Sequence, residues 1–194
     1  MVICSRQHAE ALSDVVEYIF PLDDVAVDML PVRPSPRVSE VGSKNAAYII
    51  PTSGTTGQPK LTLIEHGNYC TGAKTHVPGL CMDAVKPVRA LQFAAHSFDA
   101  SVIEILSPLM IGGTVCIPDE QSRLNDIAKV MNDMRITWTC LTPTFVRFLE
   151  PSMVPHLATI CLVGEAMSQS NLDTWSKINL VNGYVIYVVA TTCY

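Results

Sequence analysis

The sequence predicts an α/β fold in which a mostly parallel sheet is flanked by helices on both faces. Runs of β-prone residues alternate with helical segments along the chain, and several of these runs, such as TICLV, are continuously apolar. Strands of parallel sheets are covered on both faces and therefore read this way. Hydrophobic residues make up 48% and charged residues 16% of the chain, against about 25% charged in an average soluble domain. This composition indicates a segment of a larger domain.

The first part of the chain predicts three strands, one helix and a linker. MVICS is typical of a short buried strand, and Gln7 to Val16 carries apolar residues at helical spacing. Three prolines and several small polar residues between Pro31 and Asn45 predict a surface linker over residues 31–45. The runs AAYIIPT and LTLIE then predict two strands on either side of a polar loop.

The alternation continues to the end of the chain. Strands are predicted at RALQF, TVCI, TWTCL, TICLV and LVNGYVIYVVATT. Helices are predicted at Ala100 to Met110, at Leu124 to Met134, after Pro143 and at Ser168 to Trp175. In the second of these helices one apolar face is formed by Leu124, Ile127, Ala128, Met131 and Met134.

Charge, the length of the apolar runs and the cysteine pattern limit the partners and the compartment that we expect. A net charge of -5 and a pI near 5.4 provide no basic surface for a phosphate backbone, so we expect no nucleic-acid partner. No stretch reaches the roughly 18 apolar residues that a membrane span needs, and the N-terminus has no basic region before an apolar one. Seven scattered cysteines without a C-x-x-C pair predict buried free thiols and a cytoplasmic protein.

The loop at residues 52–60, TSGTTGQPK, is suited to binding a polyphosphate. It contains four hydroxyl side chains, two glycines and Lys60 within nine residues. Glycines let the backbone approach an anion closely, successive N–H groups form an anion-binding nest, and hydroxyls and lysine add donors. Only two residues separate Gly54 and Gly57, whereas a P-loop has four between its glycines. A polar turn between two strands is the alternative interpretation.

This string resembles the phosphate-binding signature of the adenylate-forming (AMP-binding) superfamily, which includes acyl-CoA ligases, luciferases and adenylation domains of nonribosomal peptide synthetases. The resemblance implies that the loop closes over the β- and γ-phosphates of ATP, with Thr55, Thr56 and Lys60 as catalytic residues. The ATP-binding residues implied in this loop are Thr52, Ser53, Gly54, Thr55, Thr56, Gly57 and Lys60. Two residues depart from the pattern: Pro51 replaces an aromatic residue and Leu61 replaces a glycine.

A second motif, FAAHSFDAS, looks like the F-D-x-S motif of the amino-acid-activating members. The resemblance implies that Asp99 pairs with the α-ammonium group of the substrate. A buried carboxylate is costly without a cation beside it, so a substrate amine is a suitable partner. The alternative is that Asp99 caps the following helix, where Ser101 and Glu104 have capping-box spacing.

The remaining motifs, LTPTF, LVGEAM and LVNGY, follow in the order found in adenylation domains. The resemblance implies that Gly164 and Glu165 lie in the adenine loop and that Asn182, Gly183 and Tyr184 hold adenine, with Tyr184 stacked on the base. An ordinary strand aromatic is the alternative for Tyr184. The implied substrate pocket is lined by Asp99, Ala100, Ile103, Cys140, Cys161, Val163 and Gly183. It suits an aliphatic or modest apolar side chain, although cysteines that merely pack a core would look the same.

The resemblance therefore predicts an AMP-forming ligase of secondary metabolism that activates an amino acid as its adenylate and releases pyrophosphate. ATP and Mg²⁺ are the implied cofactors, and a phosphopantetheine carrier domain is an implied partner. After Tyr184 the family continues with Gly-Pro-Thr-Glu, whose glutamate helps to hold magnesium, whereas this chain reads VIYVVATTCY. We therefore assign no metal ligand. Residues 1–194 are expected to be part of the large N-terminal subdomain without the C-terminal lid, and to have little activity in isolation.

Two other functions stay open. An acyl- or aryl-acid CoA ligase of the same superfamily would not need Asp99, and dependence on a substrate amine distinguishes it. A non-catalytic remnant that serves as an interaction module would lack a nucleotide site, and titration with ATP and magnesium distinguishes that one.

Overall fold

The structure is a computed structural model, which describes residues 2–29, 40–52, 60–84 and 86–183, apart from the side chains of Asp24 and Thr52. The chain divides into two compact units, Met1–Glu40 and Val41–Tyr194. Among the described residues, no helix combines the length and the apolar character needed to cross a bilayer.

The first unit contains two short strands and two short helices. They are β1 (Val2–Ser5), α1 (Arg6–Leu12), β2 (Ile19–Leu22) and α2 (Asp24–Asp28), and β1 pairs with β2 in parallel. The strand predicted at MVICS is present but not buried, because a two-stranded sheet has too few residues to enclose a core. The predicted helix is also shorter than expected, since α1 ends at Leu12 rather than at Val16.

The second unit begins with an antiparallel hairpin and continues into a five-stranded parallel sheet. The hairpin consists of β3 (Ala46–Thr52) and β4 (Lys60–Glu65). The strands of the sheet lie in the order β6-β5-β7-β8-β9. They are β5 (Arg89–Leu91), β6 (Thr114–Cys116), β7 (Trp138–Leu141), β8 (Thr159–Leu162) and β9 (Asn179–Asn182). The helices are α3 (His66–Gly79), α4 (Asp99–Met110), α5 (Glu120–Asn125), α6 (Ile127–Asp133) and α7 (Gln169–Trp175).

Each face of this sheet carries its own hydrophobic core, because successive side chains of a strand point to opposite faces. On one face, residues of α6 and α7 pack against strand residues such as Leu141 and Ile160. On the other face, residues of α3 and α4 pack against Cys140 and Cys161. Helices on both faces of a parallel sheet confirm the predicted α/β class.

The structure corrects two of the predicted helices. The segment Leu124 to Met134 is broken at Asp126, whose carboxylate accepts a hydrogen bond from the Lys129 N–H and so starts α6. Aspartate favours such caps over a helix interior, and Leu124 consequently lies 62% exposed, off the predicted apolar face. The helix expected after Pro143 is a single 3₁₀ turn, Phe145–Phe148.

Two sequence expectations about exposure are met only in part. The six described cysteines are free, and three of them are buried, but Cys70 is exposed on α3 and is not the buried thiol that we predicted. Residues 40–45 of the predicted linker are exposed and outside regular structure, while residues 31–39 lie outside the described residues. Helix α3 was not predicted, because its sequence HGNYCTGAKTHVPG is rich in polar residues and glycine.

Candidate functional site

The described residues of the predicted substrate pocket and adenine segment lie toward the carboxyl edge of the parallel sheet. The segments that follow β7, β8 and β9 begin at Thr142, Val163 and Gly183, and α4 follows β5 after a short connection. Open α/β sheets bind their ligands outside this edge, because the loops after parallel strands meet there. The sheet thus places the predicted substrate and adenine segments side by side.

Several residues predicted to line the substrate pocket lie together on the sheet face covered by α3 and α4. Ile103, Cys140 and Cys161 are buried in the same cluster, and Val163 packs against them partly buried. Cys140 and Cys161 are register partners on β7 and β8, so their thiols lie on the same face. The hydrogen bond with Cys161 and burial raise the pKa of the Cys140 thiol, which is therefore neutral at physiological pH.

Gly183 closes the end of this lining. A β-carbon at this position would lie 2.5 Å from the Cys161 sulfur and 2.7 Å from Val163 Cγ1, far inside normal contact distance. The Gly183 N–H donates to the Leu162 carbonyl over 2.8 Å, which holds the backbone in this position. Only glycine fits here without moving the lining.

Asp99 does not have the surroundings that the sequence suggested. It is the first residue of α4, and its side chain is exposed rather than buried. The capping alternative is not realised either, since the N-cap residue is Phe98 and no side chain caps the helix. Burial and, to a smaller extent, the charge of Asp99 raise the pKa of Tyr48 on β3. Asp99 therefore lies near β3, and Ala100 beside it is half-buried.

The hairpin holds both ends of the predicted phosphate-binding loop. Thr52 and Lys60 are register partners at the ends of β3 and β4, and Pro51 pairs with Leu61 one step below them. The two departures from the family pattern therefore face each other at the base of the loop, with Leu61 67% exposed. The predicted loop residues Ser53, Gly54, Thr55, Thr56 and Gly57 lie outside the described residues.

The predicted adenine segment is tied to the neighbouring loop. The Glu165 carboxylate accepts hydrogen bonds from the Thr144 N–H over 3.1 Å and from the Thr144 hydroxyl over 2.5 Å. Gly164 before it has a φ of 80°, a conformation that favours glycine. Asn182 is the exposed last residue of β9, while Tyr184 lies outside the described residues.

Glu104, for which the sequence predicted only a role in capping, is completely buried in the structure. Its carboxylate oxygen Oε2 accepts hydrogen bonds from the Phe93 and Ala94 N–H groups, each over 2.9 Å. Burial raises the pKa of Glu104 to about 7. The signal in the sequence was its position, since Glu104 is the only charge between Ala100 and Met110.

Within the described part of the chain, no group of three or more His, Cys, Asp or Glu residues is placed to hold a metal ion. One cavity of about 310 Å³ lies at the carboxyl end of α4, whereas Asp99 is at the amino end. The cavity is lined by Lys86, Pro87, Val88, Ile111 and Gly112, none of which belongs to the predicted site.

The chain resembles parts of much longer peptide synthetases. It is 50% identical to nonribosomal peptide synthetase 1 of Aspergillus fumigatus over 186 residues, which cover 95% of this chain and 3% of that protein. It is 43% identical to nonribosomal peptide synthetase 4 of Gibberella zeae over 184 residues, which cover 94% of this chain and 2% of that protein. The chain thus spans only a small part of the length of these relatives.

Solved structures share the fold at low sequence identity. The N-terminal domain of FACL13 from Mycobacterium tuberculosis superposes with a TM-score of 0.73 at 17% identity, over 96% of this chain and 50% of that chain. PA1221, described as a nonribosomal peptide synthetase protein containing adenylation and PCP domains, superposes with a TM-score of 0.66 at 24% identity, over 92% of this chain and 40% of that chain. The family described as AMP-binding enzyme matches residues 4–187. The chain therefore belongs to the AMP-binding enzyme family of adenylate-forming ligases.

Proposed function

We propose that this chain is part of an adenylation domain of a nonribosomal peptide synthetase. In this proposal it binds an amino acid and ATP, forms the aminoacyl-adenylate and releases pyrophosphate. The observation that carries the proposal is that Asp99, the thiol-and-glycine lining and the segment after β8 lie toward one edge of the sheet. The identities to fungal peptide synthetases support the same reaction.

Residues 52–60 would hold the phosphates of ATP in this proposal, and Gly164, Glu165, Asn182, Gly183 and Tyr184 would hold adenine. The pairing of Thr52 with Lys60 supports this role, because it brings both ends of the loop together at the end of the hairpin. Lys60, Thr55 and Thr56 would stabilise the charge that builds on the phosphates as the substrate carboxylate attacks the α-phosphorus. Catalysis of this kind consists of positioning and charge neutralisation.

The pocket supports an amino acid with a small or medium apolar side chain. Its described lining is apolar apart from two thiols, with Ile103, Cys140 and Cys161 buried at its centre. Asp99 at the start of α4 would take the α-ammonium group, and its charge would be desolvated only when the substrate covers it. An exposed carboxylate that is buried on binding a cation suits reversible recognition better than one that is permanently buried.

Magnesium and a carrier domain complete the proposal. Magnesium would enter with ATP and neutralise phosphate charge, and we assign it no protein ligand among the described residues. The PCP domain of PA1221 supports a carrier domain as the partner that receives the activated amino acid.

A matched pair of adenylate analogues tests the proposed function. Valyl-sulfamoyl-adenosine and isovaleryl-sulfamoyl-adenosine differ only in the α-ammonium group. We expect the chain to bind the valyl analogue at least tenfold more tightly in calorimetric titration, because a charge-assisted hydrogen bond contributes about 1.5–3 kcal/mol. The variant Asp99→Asn should remove this preference and leave isovaleryl binding unchanged.

The other possible results point to the alternatives. Equal affinity for both analogues in the wild-type protein would contradict an amino-acid substrate and favour an acyl- or aryl-acid ligase. Absence of saturable binding for both analogues and for ATP with magnesium would favour a non-catalytic interaction module.

A further inference from the structure

We propose that Glu104 is a positioning residue that holds the connection between β5 and α4, and thereby Asp99, in the geometry needed to bind the substrate amine. This inference rests on the proposed function for the role of Asp99. Glu104 lies on the same helix as Asp99, and its carboxylate reaches back to the start of the connection that leads into that helix.

A single carboxylate oxygen of Glu104 accepts the hydrogen bonds that hold the beginning of this connection. Oε2 accepts hydrogen bonds from the consecutive N–H groups of Phe93 and Ala94, each over 2.9 Å, and the Gln92 side-chain amide lies 3.5 Å away. The Gln92 amide also donates to the Ala94 carbonyl over 2.6 Å. The chain therefore leaves β5 in one fixed direction.

A second residue holds Phe93 from its other side. The Arg123 guanidinium donates a hydrogen bond to the Phe93 carbonyl over 2.5 Å and lies 5.5 Å from the centroid of the Phe93 ring. The backbone of Phe93 is thus fixed at its N–H by Glu104 and at its carbonyl by Arg123. From this clamped residue only five residues lead to Asp99.

A buried glutamate has a large desolvation cost, which a residue with only a packing role would not need. Glu104 is fully buried, and its second oxygen, Oε1, has no hydrogen-bond partner in the structure. An apolar side chain would fill the same space without burying a carboxyl group, but it could not accept hydrogen bonds from two backbone N–H groups. The hydrogen-bond acceptor of Glu104 is therefore the property that matters at this position. The connection that it fixes leads directly to Asp99.

Three variants separate the acceptor from the packing. Glu104→Gln keeps an acceptor oxygen, Glu104→Leu removes it, and Glu104→Asp withdraws it by one methylene. Ser107→Ala is the matched control, because Ser107 is a buried polar residue of α4 whose hydrogen bonds go to Tyr69 and His76 instead of the connection. The measurements are amide hydrogen exchange and affinity for valyl- and isovaleryl-sulfamoyl-adenosine.

We expect the Leu and Asp variants to lose at least tenfold of the exchange protection at the Phe93 and Ala94 amides. The same variants should lose about tenfold of the valyl-over-isovaleryl preference, while their affinity for the isovaleryl analogue changes little. The Gln variant and the Ser107→Ala control should keep the wild-type preference. A role in stability alone would weaken both analogues equally, so the ratio distinguishes positioning from folding.

Two results would overturn the inference. The first is unchanged protection of the Phe93 and Ala94 amides in the Leu or Asp variant, whatever the analogues do. The second is a variant that has lost this protection but keeps the wild-type ratio of affinities for the valyl and isovaleryl analogues. If the Leu variant does not fold, the Asp variant is used for this test. Wild-type protein that binds both analogues equally contradicts the proposed function as well as any role of Glu104 in amine binding, and the exchange data then show separately whether Glu104 holds the connection.

Discussion

The two faces of the five-stranded sheet are built from different chemistry. The core under α6 and α7 contains the thiol of Cys116 among mostly large apolar side chains such as Leu141, Ile160 and Trp175. The core under α3 and α4 combines apolar residues with thiols, and polar groups of the same two helices are buried beside it. The described core residues of the proposed substrate pocket, Ile103, Cys140 and Cys161, all belong to the second face.

Three polar side chains on the second face form a hydrogen-bonded group between its two helices. The Ser107 hydroxyl lies 2.7 Å from the Tyr69 hydroxyl and 2.8 Å from His76 Nε2, and this links α3 to α4. Burial raises the pKa of Tyr69 to about 12 and lowers the pKa of His76, so both groups are neutral at pH 7. These groups are thus hydrogen-bonded and uncharged, which avoids the cost of an unpaired buried charge.

The largest expected loss of stability is on the sheet face covered by α6 and α7. Trp175 is 1% exposed, and we expect Trp175→Ala to lower the free energy of unfolding by about 3–5 kcal/mol, because the change leaves a large cavity. Urea denaturation followed by circular dichroism measures this loss. The fraction that stays folded should bind valyl-sulfamoyl-adenosine as the wild type does. A loss below about 1 kcal/mol would show that Trp175 does not contribute to the packing of this core.

The next effect is a pH dependence that belongs to the second face. The pKa of Glu104 is raised by burial from 4.5 to about 7, so the folded state keeps its proton where the unfolded state loses it. This group therefore contributes stability below pH 4.5 that is lost as the pH rises through 7, on the order of 3 kcal/mol in total. The charged and titratable groups that act electrostatically with it are Arg123 of α5 and Cys140 of β7.

Urea titrations of the wild type and of Glu104→Gln between pH 5 and pH 8 isolate this contribution, since the two proteins share every other titrating group. The wild type should lose stability relative to the Gln variant as the pH rises. Parallel curves would mean that Glu104 titrates normally.

A smaller effect is expected at the pocket itself. Gly183→Ala would place a methyl group 2.5 Å from the Cys161 sulfur, which should cost about 1–3 kcal/mol of stability through overpacking. It should also weaken binding of valyl-sulfamoyl-adenosine. Gly79→Ala is the matched control, because no atom lies within 4 Å of the added methyl group. Equal behaviour of the two variants in denaturation and titration would remove Gly183 from the lining.

The smallest effect concerns the link between α3 and α4. Ser107→Ala removes a partner from two half-buried or buried groups, and we expect a loss of about 1–2 kcal/mol. Ser176→Ala is the control, since its exposed hydroxyl makes one hydrogen bond over 3.3 Å and should contribute almost nothing. If both variants unfold at the same urea concentration, the network on the second face does not stabilise the protein.

Local signals were sufficient for most strands. The five strands of the parallel sheet and both strands of the hairpin overlap runs that their β-prone residues predicted, although β4 and β9 each begin one residue earlier, at Lys60 and Asn179. Helix ends were less predictable, because they depend on single side-chain hydrogen bonds such as that of Asp126. Helix α3 escaped prediction although its buried residues Tyr69, Ala73 and Val77 have helical spacing, because the glycines and polar residues around them obscure that spacing.

The sequence by itself determined the family, the α/β class and the segments that carry the proposed chemistry, since short motifs and hydrophobic runs are local properties. Only the tertiary structure decided that Asp99 is exposed, that Cys140 faces Cys161, and that Glu104 is buried against the Phe93 and Ala94 amides. These features depend on strand register and on which side of a helix meets the sheet. Residues distant along the chain settle them together, so no single segment could have predicted them.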